Sequence, residues 1–200
     1  MNPLLPEAVQ RNLVLASRSP RRIDILNGLG FEFEVLPAHG HVEDSAECDA
    51  AFERAVVRAR LKAEDVARRR PRSTVIGADT VVIIDDEVLE KPADDREAFR
   101  FLKQLSGREH VVVTGVAIRR EADGLDLAAK EETRVRFRDL SDTDVRRYVA
   151  SGEGRDKAGS YAVQGLGAGL VRTIDGCFYN VVGFPVSLFF DLLRKVPPLP

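Results

Sequence analysis

The sequence predicts an α/β or α+β fold, because helical and strand patterns alternate along the chain. Its 200 residues are enough for one domain with a sizeable core. Hydrophobic residues make up 44% and charged residues 31%, which is typical of a globular protein and argues against disorder. Because no internal repeat or low-complexity linker divides the chain, we expect residues 1–200 to form a single domain.

Short apolar or alternating runs predict the strands. The longest of them is interrupted at Gly77, Ala78 and Asp79, and the last two are predicted to form a hairpin around an Asp-Gly turn at residues 175–176. In chain order, the predicted strands cover residues 13–17, 31–36, 74–84, 88–91, 110–119, 127–137, 170–174 and 177–182.

Apolar stripes at helical spacing predict the helices. Capping residues indicate where they begin: Ser19 before Pro20, Asp94 with Glu97 three residues later, and Ser141. Glycine or proline indicates where they end. The predicted helices cover residues 20 to 28 or 30, 49–70, 94–105, 141–150 and 185–195, and residues 38–49 and 152–169 are predicted to be irregular.

The charge balance and the cysteines exclude several classes of protein. With 30 Lys and Arg against 32 Asp and Glu, the chain has no global basic field for coating a nucleic acid. No apolar run approaches the roughly 18 residues of a membrane span, and the amino terminus lacks the apolar core of a signal peptide. Cys48 and Cys177 fit neither a zinc spacing nor a disulfide framework, so a reducing cytoplasm is the expected compartment.

A first candidate for ligand binding is the segment Ser17-Arg18-Ser19-Pro20-Arg21-Arg22. A predicted strand runs there into a helix start, where backbone N–H groups and the positive helix end favour an anion. Arg21 and Arg22 add planar cations suited to phosphate oxygens. The alternative is an ordinary capped helix with solvated arginines.

The second candidate for a functional role is Asp79, in the segment Gly77-Ala78-Asp79-Thr80. A carboxylate inside an apolar strand is costly unless it is paired or binds a metal, so Asp79 is a candidate general base or metal ligand. The alternative is an aspartate that marks a bulge or a strand end.

Two further segments carry candidate ligand contacts. Lys91, fixed in an extended stretch before Pro92, could project towards a phosphate, although most surface lysines are solvated. In the glycine-rich residues 156–169, Gln164 can both donate and accept hydrogen bonds, which suits reading a base edge. No P-loop or dinucleotide fingerprint occurs, and with three histidines and no triad pattern, catalysis by carboxylate and metal is the economical expectation.

Segments in this order resemble the Maf family of nucleoside triphosphate pyrophosphatases, whose older name refers to septum formation. They span residues 13 to about 193 and read LVLASRSPRR, VIGADTVV, EKP, FLKQLSGREHVVVTGVAI, DKAGSYAVQGLGAGLV and NVVGFPV. The resemblance implies an α/β fold with an elongated twisted mixed sheet flanked by helices and two lobes around a central cleft. It also implies hydrolysis of a nucleoside triphosphate to the monophosphate and pyrophosphate, with Mg²⁺ or Mn²⁺.

The resemblance also implies roles for single residues. Asp79 would be the catalytic proton acceptor, and Asp79 and Glu43 would be the metal ligands. The branch of the family that prefers dTTP and UTP looks closest. The residues implied to bind substrate are Ser17, Arg21, Arg22, Lys62, Thr80, Lys91 and Gln164, of which Arg21, Thr80 and Gln164 are linked to specificity in that branch.

Two other functions stay open at this point. One is the same chemistry on a modified pyrimidine or a purine nucleotide, and the other is a non-catalytic nucleotide-binding regulator of cell division. The expected partner is a nucleoside triphosphate, with no nucleic acid and no membrane. A homodimer is expected from the base rate of oligomers and from the resemblance.

Overall fold

The computed structural model describes residues 1–40 and 50–198, which form two compact units. Unit 1 comprises Met1–Asp79, Thr114–Glu131 and Gly183–Pro200. Unit 2 comprises Thr80–Val113 and Glu132–Val182. Each unit has its own buried apolar core. The single domain expected over residues 1–200 stays a prediction.

Helices and strands alternate along the described chain, as the sequence predicts. The helices are α1 (Pro20–Gly28), α2 (Ala51–Arg69), α3 (Asp95–Leu105), α4 (Asp142–Ser151), α5 (Phe178–Val182) and α6 (Val186–Leu193). The strands are β1 (Leu13–Leu15), β2 (Phe33–Val35), β3 (Thr74–Ile84), β4 (Glu87–Leu89), β5 (Glu109–Arg120), β6 (Leu125–Phe137) and β7 (Val171–Asp175).

The strands form a seven-stranded mixed sheet in the order β2-β1-β3-β5-β6-β7, with β4 paired to β3. Strand β1 runs parallel to both β2 and β3. Strand β4 is antiparallel to β3, and β7 is antiparallel to β6. The α/β class is therefore confirmed, with a mixed sheet flanked by helices. Within the described residues, no helix combines the length and the apolar character needed to cross a membrane.

In unit 1, helix α2 packs closely on the sheet because the residues between them are small. Its buried face presents alanines, among them Ala59 and Ala63, to a core that includes Val75 of β3. A Cβ added at Gly77 of β3 would lie 2.2 Å from the carbonyl oxygen of Ala59. Glycine at position 77 therefore permits an approach of helix to strand that any larger residue would prevent.

In unit 2, helices α3 and α4 contribute to an apolar core with strands β3 to β7. Rings of His110, Phe137 and Tyr161 pack edge to face within it, with centroids 4.8–5.4 Å apart. Helix α4 begins with a capping box in which Ser141 and Asp144 exchange hydrogen bonds, as the serine at that position predicts.

The interruption predicted at residues 77–79 is wrong. Strand β3 continues through Gly77, Ala78 and Asp79 to Ile84. Gly77 is needed because α2 approaches the strand closely at this position, and it does not break the strand.

The hairpin predicted from residues 170–174 and 177–182 is also wrong. Strand β7 pairs with β6, and residues 178–182 form the helix α5. The backbone N–H of Asn180 donates to the carbonyl oxygen of Cys177, and this bond begins a helical turn. The buried Asn180 side chain donates to the carbonyl oxygen of Val112 and the hydroxyl of Thr133, so long-range bonds fix this segment.

Candidate functional site

Asp79 and Lys62 form a buried ion pair in unit 1. Nζ of Lys62, on α2, donates a 2.7 Å hydrogen bond to Oδ1 of Asp79, on β3, and each residue is only 7% exposed. Nη1 of Arg58, one helical turn before Lys62, lies 3.9 Å from Oδ2 of the same carboxylate. Two cations from one face of α2 therefore converge on one carboxylate, which offsets the cost of burying it.

The second carboxylate oxygen of Asp79 accepts no hydrogen bond within the described part of the chain. Oδ2 is buried, and none of the described residues donates a hydrogen bond to it. Buried polar atoms are rarely left without a partner, so an acceptor in this state suits a water molecule, a metal ion or a substrate. Oδ2 of Asp79 is therefore the atom of this ion pair at which we expect a ligand to bind.

Arg22 connects Asp79 to two other parts of unit 1. Its buried guanidinium donates from Nη1 to the carbonyl oxygen of Ala78 at 2.7 Å and to Oγ of Ser17 at 3.3 Å. Its Nε donates to the carbonyl oxygen of Gly183 at 2.9 Å. The position of Asp79 is therefore tied, through the preceding residue, to the start of α1.

The segment that leads into α1 differs in detail from the predicted cap. Pro20 is the first residue of the helix, as predicted, but the side chain of Ser19 makes no capping hydrogen bond. Instead the backbone N–H of Ser19 donates to Oγ of Ser17, which is buried. Arg21 lies half-buried in the first turn. Of the predicted site residues, the structure thus joins Ser17 to Arg22 and Lys62 to Asp79 by hydrogen bonds. The two pairs are linked through the backbone of Ala78, whose carbonyl oxygen accepts from Arg22.

The remaining predicted residues that the structure describes belong to unit 2. Thr80 is half-buried and follows Asp79 in β3, and Lys91 is exposed just beyond β4. Gln164 is exposed and directly precedes a 3-10 turn at Gly165–Gly169. The N–H of Gly159 donates to the carbonyl oxygen of Glu90, which joins the segment bearing Lys91 to the glycine-rich region.

Glu43, predicted as a second metal ligand, lies outside the described residues. Among the residues that are described, no three His, Cys, Asp or Glu side chains are grouped so that they could hold a metal ion. Of the two predicted metal ligands, Asp79 is the one that lies within the described residues. Mg²⁺ is commonly held by one or two carboxylates together with substrate phosphates, so Oδ2 of Asp79 fits an ion of that kind.

Arg58 is the functional candidate that the sequence analysis did not select. Arg58 was not selected because it lies at the edge of the apolar stripe of the helix, where arginines are usually solvated. It nevertheless lies four residues before Lys62. Side chains at that spacing share one helix face, so a predicted role for Lys62 was a signal for Arg58 as well.

Comparison with known proteins gives consistent results over most of the chain. The model of the Maf-like protein family matches residues 12–196. A dTTP/UTP pyrophosphatase from Ruminiclostridium cellulolyticum is 41% identical over 186 residues, which cover 93% of this chain and 96% of that protein. A dTTP/UTP pyrophosphatase from Thermoanaerobacter sp. (strain X514) is 44% identical over 190 residues, which cover 92% and 95%.

Among solved structures, the Staphylococcus aureus Ham1 protein aligns over 93% of this chain and 91% of its own, with a TM-score of 0.48 and 13% identity. The family model covers residues 12–196, and the two relatives combine near-complete coverage with identities of 41% and 44%. The chain therefore belongs to the Maf-like protein family.

Proposed function

We propose that this protein hydrolyses nucleoside triphosphates, dTTP and UTP foremost, to the monophosphate and pyrophosphate. The observation that carries the proposal is the buried Asp79 carboxylate, which is held by Lys62 through one oxygen while the other accepts no hydrogen bond from the described residues. The dTTP/UTP pyrophosphatase names of relatives with 41% and 44% identity support the same reaction and substrate class.

A triphosphate carries several negative charges, which must be neutralised before water can attack phosphorus. In unit 1, the positive start of α1 and the cations near it supply this neutralisation. Ser17 and Arg22 act from fixed positions, because their hydrogen bonds to each other and to the backbone hold them in place. We assign the following residues to the phosphates: Ser17, Arg21, Arg22, Lys62 and Lys91.

Asp79 acts on the attacking water. Oδ2 orients the water or takes its proton, while the ammonium of Lys62 keeps Oδ1 fixed. The oxygen of water forms a bond to the α-phosphorus, and the bond from that phosphorus to the bridging oxygen breaks, so that pyrophosphate leaves. A Mg²⁺ or Mn²⁺ ion, held by Asp79 and Glu43, would when bound neutralise phosphate charge.

Thr80 and Gln164 select the base in this proposal. The side-chain amide of Gln164 is exposed and offers both donors and an acceptor to a pyrimidine edge. A base that leaves such groups unpaired loses about 1–3 kcal/mol, which is enough for useful discrimination between nucleotides.

A panel of nucleotides tests the proposal. The purified protein is incubated with dTTP, UTP, dCTP, dATP, GTP and modified pyrimidine triphosphates, with Mg²⁺, with Mn²⁺ and with chelator, and pyrophosphate is measured. We expect release from dTTP and UTP that requires metal. Binding of nucleotide with no pyrophosphate release under any condition would favour a non-catalytic regulator instead, and preference for another base would replace the substrate assignment.

A further inference from the structure

The carboxylate of Glu153 holds the glycine-rich turn of unit 2. Glu153 lies two residues beyond the end of α4. Its Oε1 accepts a 2.9 Å hydrogen bond from the backbone N–H of Leu166, and its Oε2 accepts a 2.8 Å bond from the N–H of Gly167. Both donors lie in the 3-10 turn Gly165–Gly169, so one side chain holds the start of that turn by two bonds.

Tyr148 of α4 also holds this segment, through bonds to Glu153 and to Ala162. Its buried hydroxyl donates to Oε2 of Glu153 at 2.9 Å and accepts a 3.1 Å bond from the backbone N–H of Ala162. Tyr148 and Glu153 thus fix residue 162 and residues 166–167. The exposed Gln164 lies between these fixed points in the chain.

The glycines of the turn allow it to lie directly against these two side chains. Gly165 has φ +67°, and a Cβ there would lie 2.3 Å from Oε1 of Glu153. A Cβ at Gly167 would lie 2.1 Å from the carbonyl oxygen of Ala162 and 2.8 Å from the hydroxyl of Tyr148. The glycine pattern therefore serves contact with Glu153 and Tyr148, which no sequence motif revealed.

The protonation states strengthen these bonds. Burial raises the pKa of the Glu153 carboxyl, but the hydrogen bonds from Leu166, Gly167 and Tyr148 outweigh it and leave that pKa below its usual value. Burial raises the pKa of the Tyr148 hydroxyl, which therefore keeps its proton and donates. The acceptor is thus an ionised carboxylate at neutral pH, and charge-assisted hydrogen bonds are the stronger kind.

We propose that Glu153 and Tyr148 are positioning residues that fix Gln164 for reading the base and so set the nucleotide selectivity of this protein. The inference rests on the proposed function. Base recognition needs the reading group held to within about 0.5 Å, which an exposed side chain on a glycine-rich turn achieves only if its backbone is fixed. The two side chains supply that constraint without touching the base themselves.

Three variants test the proposal: Glu153→Gln, Tyr148→Phe and the control Glu109→Gln. Glu109 is an exposed glutamate of unit 2 whose ion pair with Arg134 is long, at 3.8 Å. We measure kcat and KM for dTTP and dATP, the affinities of their non-hydrolysable α,β-methylene analogues, and amide hydrogen exchange at Leu166 and Gly167.

For Glu153→Gln we expect faster exchange at both amides and a rise in KM for dTTP of roughly tenfold, as for the loss of one charge-assisted hydrogen bond. We expect kcat to change by less than about twofold and the preference for dTTP over dATP to fall. Tyr148→Phe, which keeps the ring packed, should change the same quantities in the same direction by less. Glu109→Gln should match the wild type.

Two results in both Glu153→Gln and Tyr148→Phe would overturn the inference. One is hydrogen exchange that stays unchanged at both amides, and the other is nucleotide selectivity that stays unchanged although exchange becomes faster. An equal loss of kcat on every nucleotide also overturns it, because that indicates general damage to the fold. The methylene analogues separate this result from the proposed function. If the wild type hydrolyses nothing but the variants still lose selectivity in binding, the proposed reaction fails and the positioning role stands.

Discussion

Arg22 donates a 2.7 Å hydrogen bond to the carbonyl oxygen of Ala78, the residue that precedes Asp79 in β3. The same guanidinium donates to the carbonyl oxygen of Gly183, 161 residues away in sequence. A side chain expected from its motif to contact phosphate is therefore also the one that joins the start of α1 to the strand bearing the carboxylate. Stability and activity should be linked through this residue.

Arg22→Lys tests that linkage. Lysine keeps the charge but lacks the planar fork that reaches several acceptors at once, so buried carbonyl groups lose their donor. We expect the free energy of unfolding in urea to fall by about 1–3 kcal/mol, and kcat/KM to fall with it. Arg18→Lys, at an exposed arginine just before α1, should leave the unfolding free energy nearly unchanged. Wild-type stability in Arg22→Lys would show that the guanidinium has no structural role.

Asp79→Asn should remove turnover while nucleotide binding persists. The amide cannot take a proton from water, and general bases contribute about 10²–10⁴-fold to rate. Calorimetric titration with dTTP measures binding, and pyrophosphate release measures turnover. Turnover at the wild-type rate in this variant would assign the reaction to another residue.

The ion pair also makes a stability prediction. Asp79→Asn leaves the buried ammonium of Lys62 without its hydrogen-bonded carboxylate, which should cost about 3 kcal/mol. Adding Lys62→Met removes the stranded charge, so the double variant should unfold at higher urea than Asp79→Asn alone. A double-mutant cycle with additive effects would mean that the two side chains do not stabilise each other.

Gly77→Ala should damage the site from a distance. Its Cβ would lie 2.2 Å from the carbonyl oxygen of Ala59, so α2, which carries Lys62, has to shift relative to β3. Overpacking of this kind costs about 1–3 kcal/mol. Gly28→Ala at the end of α1 is the matched control, since no atom lies within 4 Å of its added Cβ. Thermal unfolding and kcat/KM measure both effects, and equal behaviour of the two variants would contradict the close approach.

His110 makes stability depend on pH. Burial lowers the pKa of His110 from 6.5 to about 3, and its Nε2 shares a 2.8 Å hydrogen bond with the buried hydroxyl of Tyr161. Between these two pKa values the unfolded chain binds a proton that the folded chain does not. Stability from this residue is thus complete above pH 6.5 and declines as the pH falls towards about 3.

The matching measurement compares the wild type with His110→Phe. From pH 6.5 to pH 4 the wild type should lose roughly 3 kcal/mol more of its unfolding free energy than the variant. Parallel pH profiles for the two proteins would mean that His110 titrates normally in the folded state.

Local signals in the sequence located most elements of the fold. Pro20, the Asp94–Glu97 pair and Ser141 each mark a helix start that the structure confirms to within a residue. The failed hairpin at residues 177–182 shows the limit of such signals. The segment is apolar enough for a strand, but Asn180 binds Val112 and Thr133, and those partners are far away in sequence.

In the candidate site too, the sequence predicted what local signals show and missed what depends on contacts between distant residues. Asp79 was selected because a carboxylate in an apolar strand is conspicuous without knowledge of its neighbours. The bond from Arg22 to Ala78 depends on how α1 packs on β3, and no local pattern encodes that packing. Glu153 went unnoticed for the same reason, since its acceptor role appears only once the glycine turn is folded against it. Arg58, by contrast, could have been selected from its four-residue spacing to Lys62.

The position of bond cleavage is the most direct test of the account. The protein is incubated with dTTP in water enriched in ¹⁸O, and the products are analysed by mass spectrometry. Attack of water on the α-phosphorus predicts label in the thymidine monophosphate and unlabelled pyrophosphate. Label in pyrophosphate, or release of labelled inorganic phosphate with a nucleoside diphosphate, would contradict it.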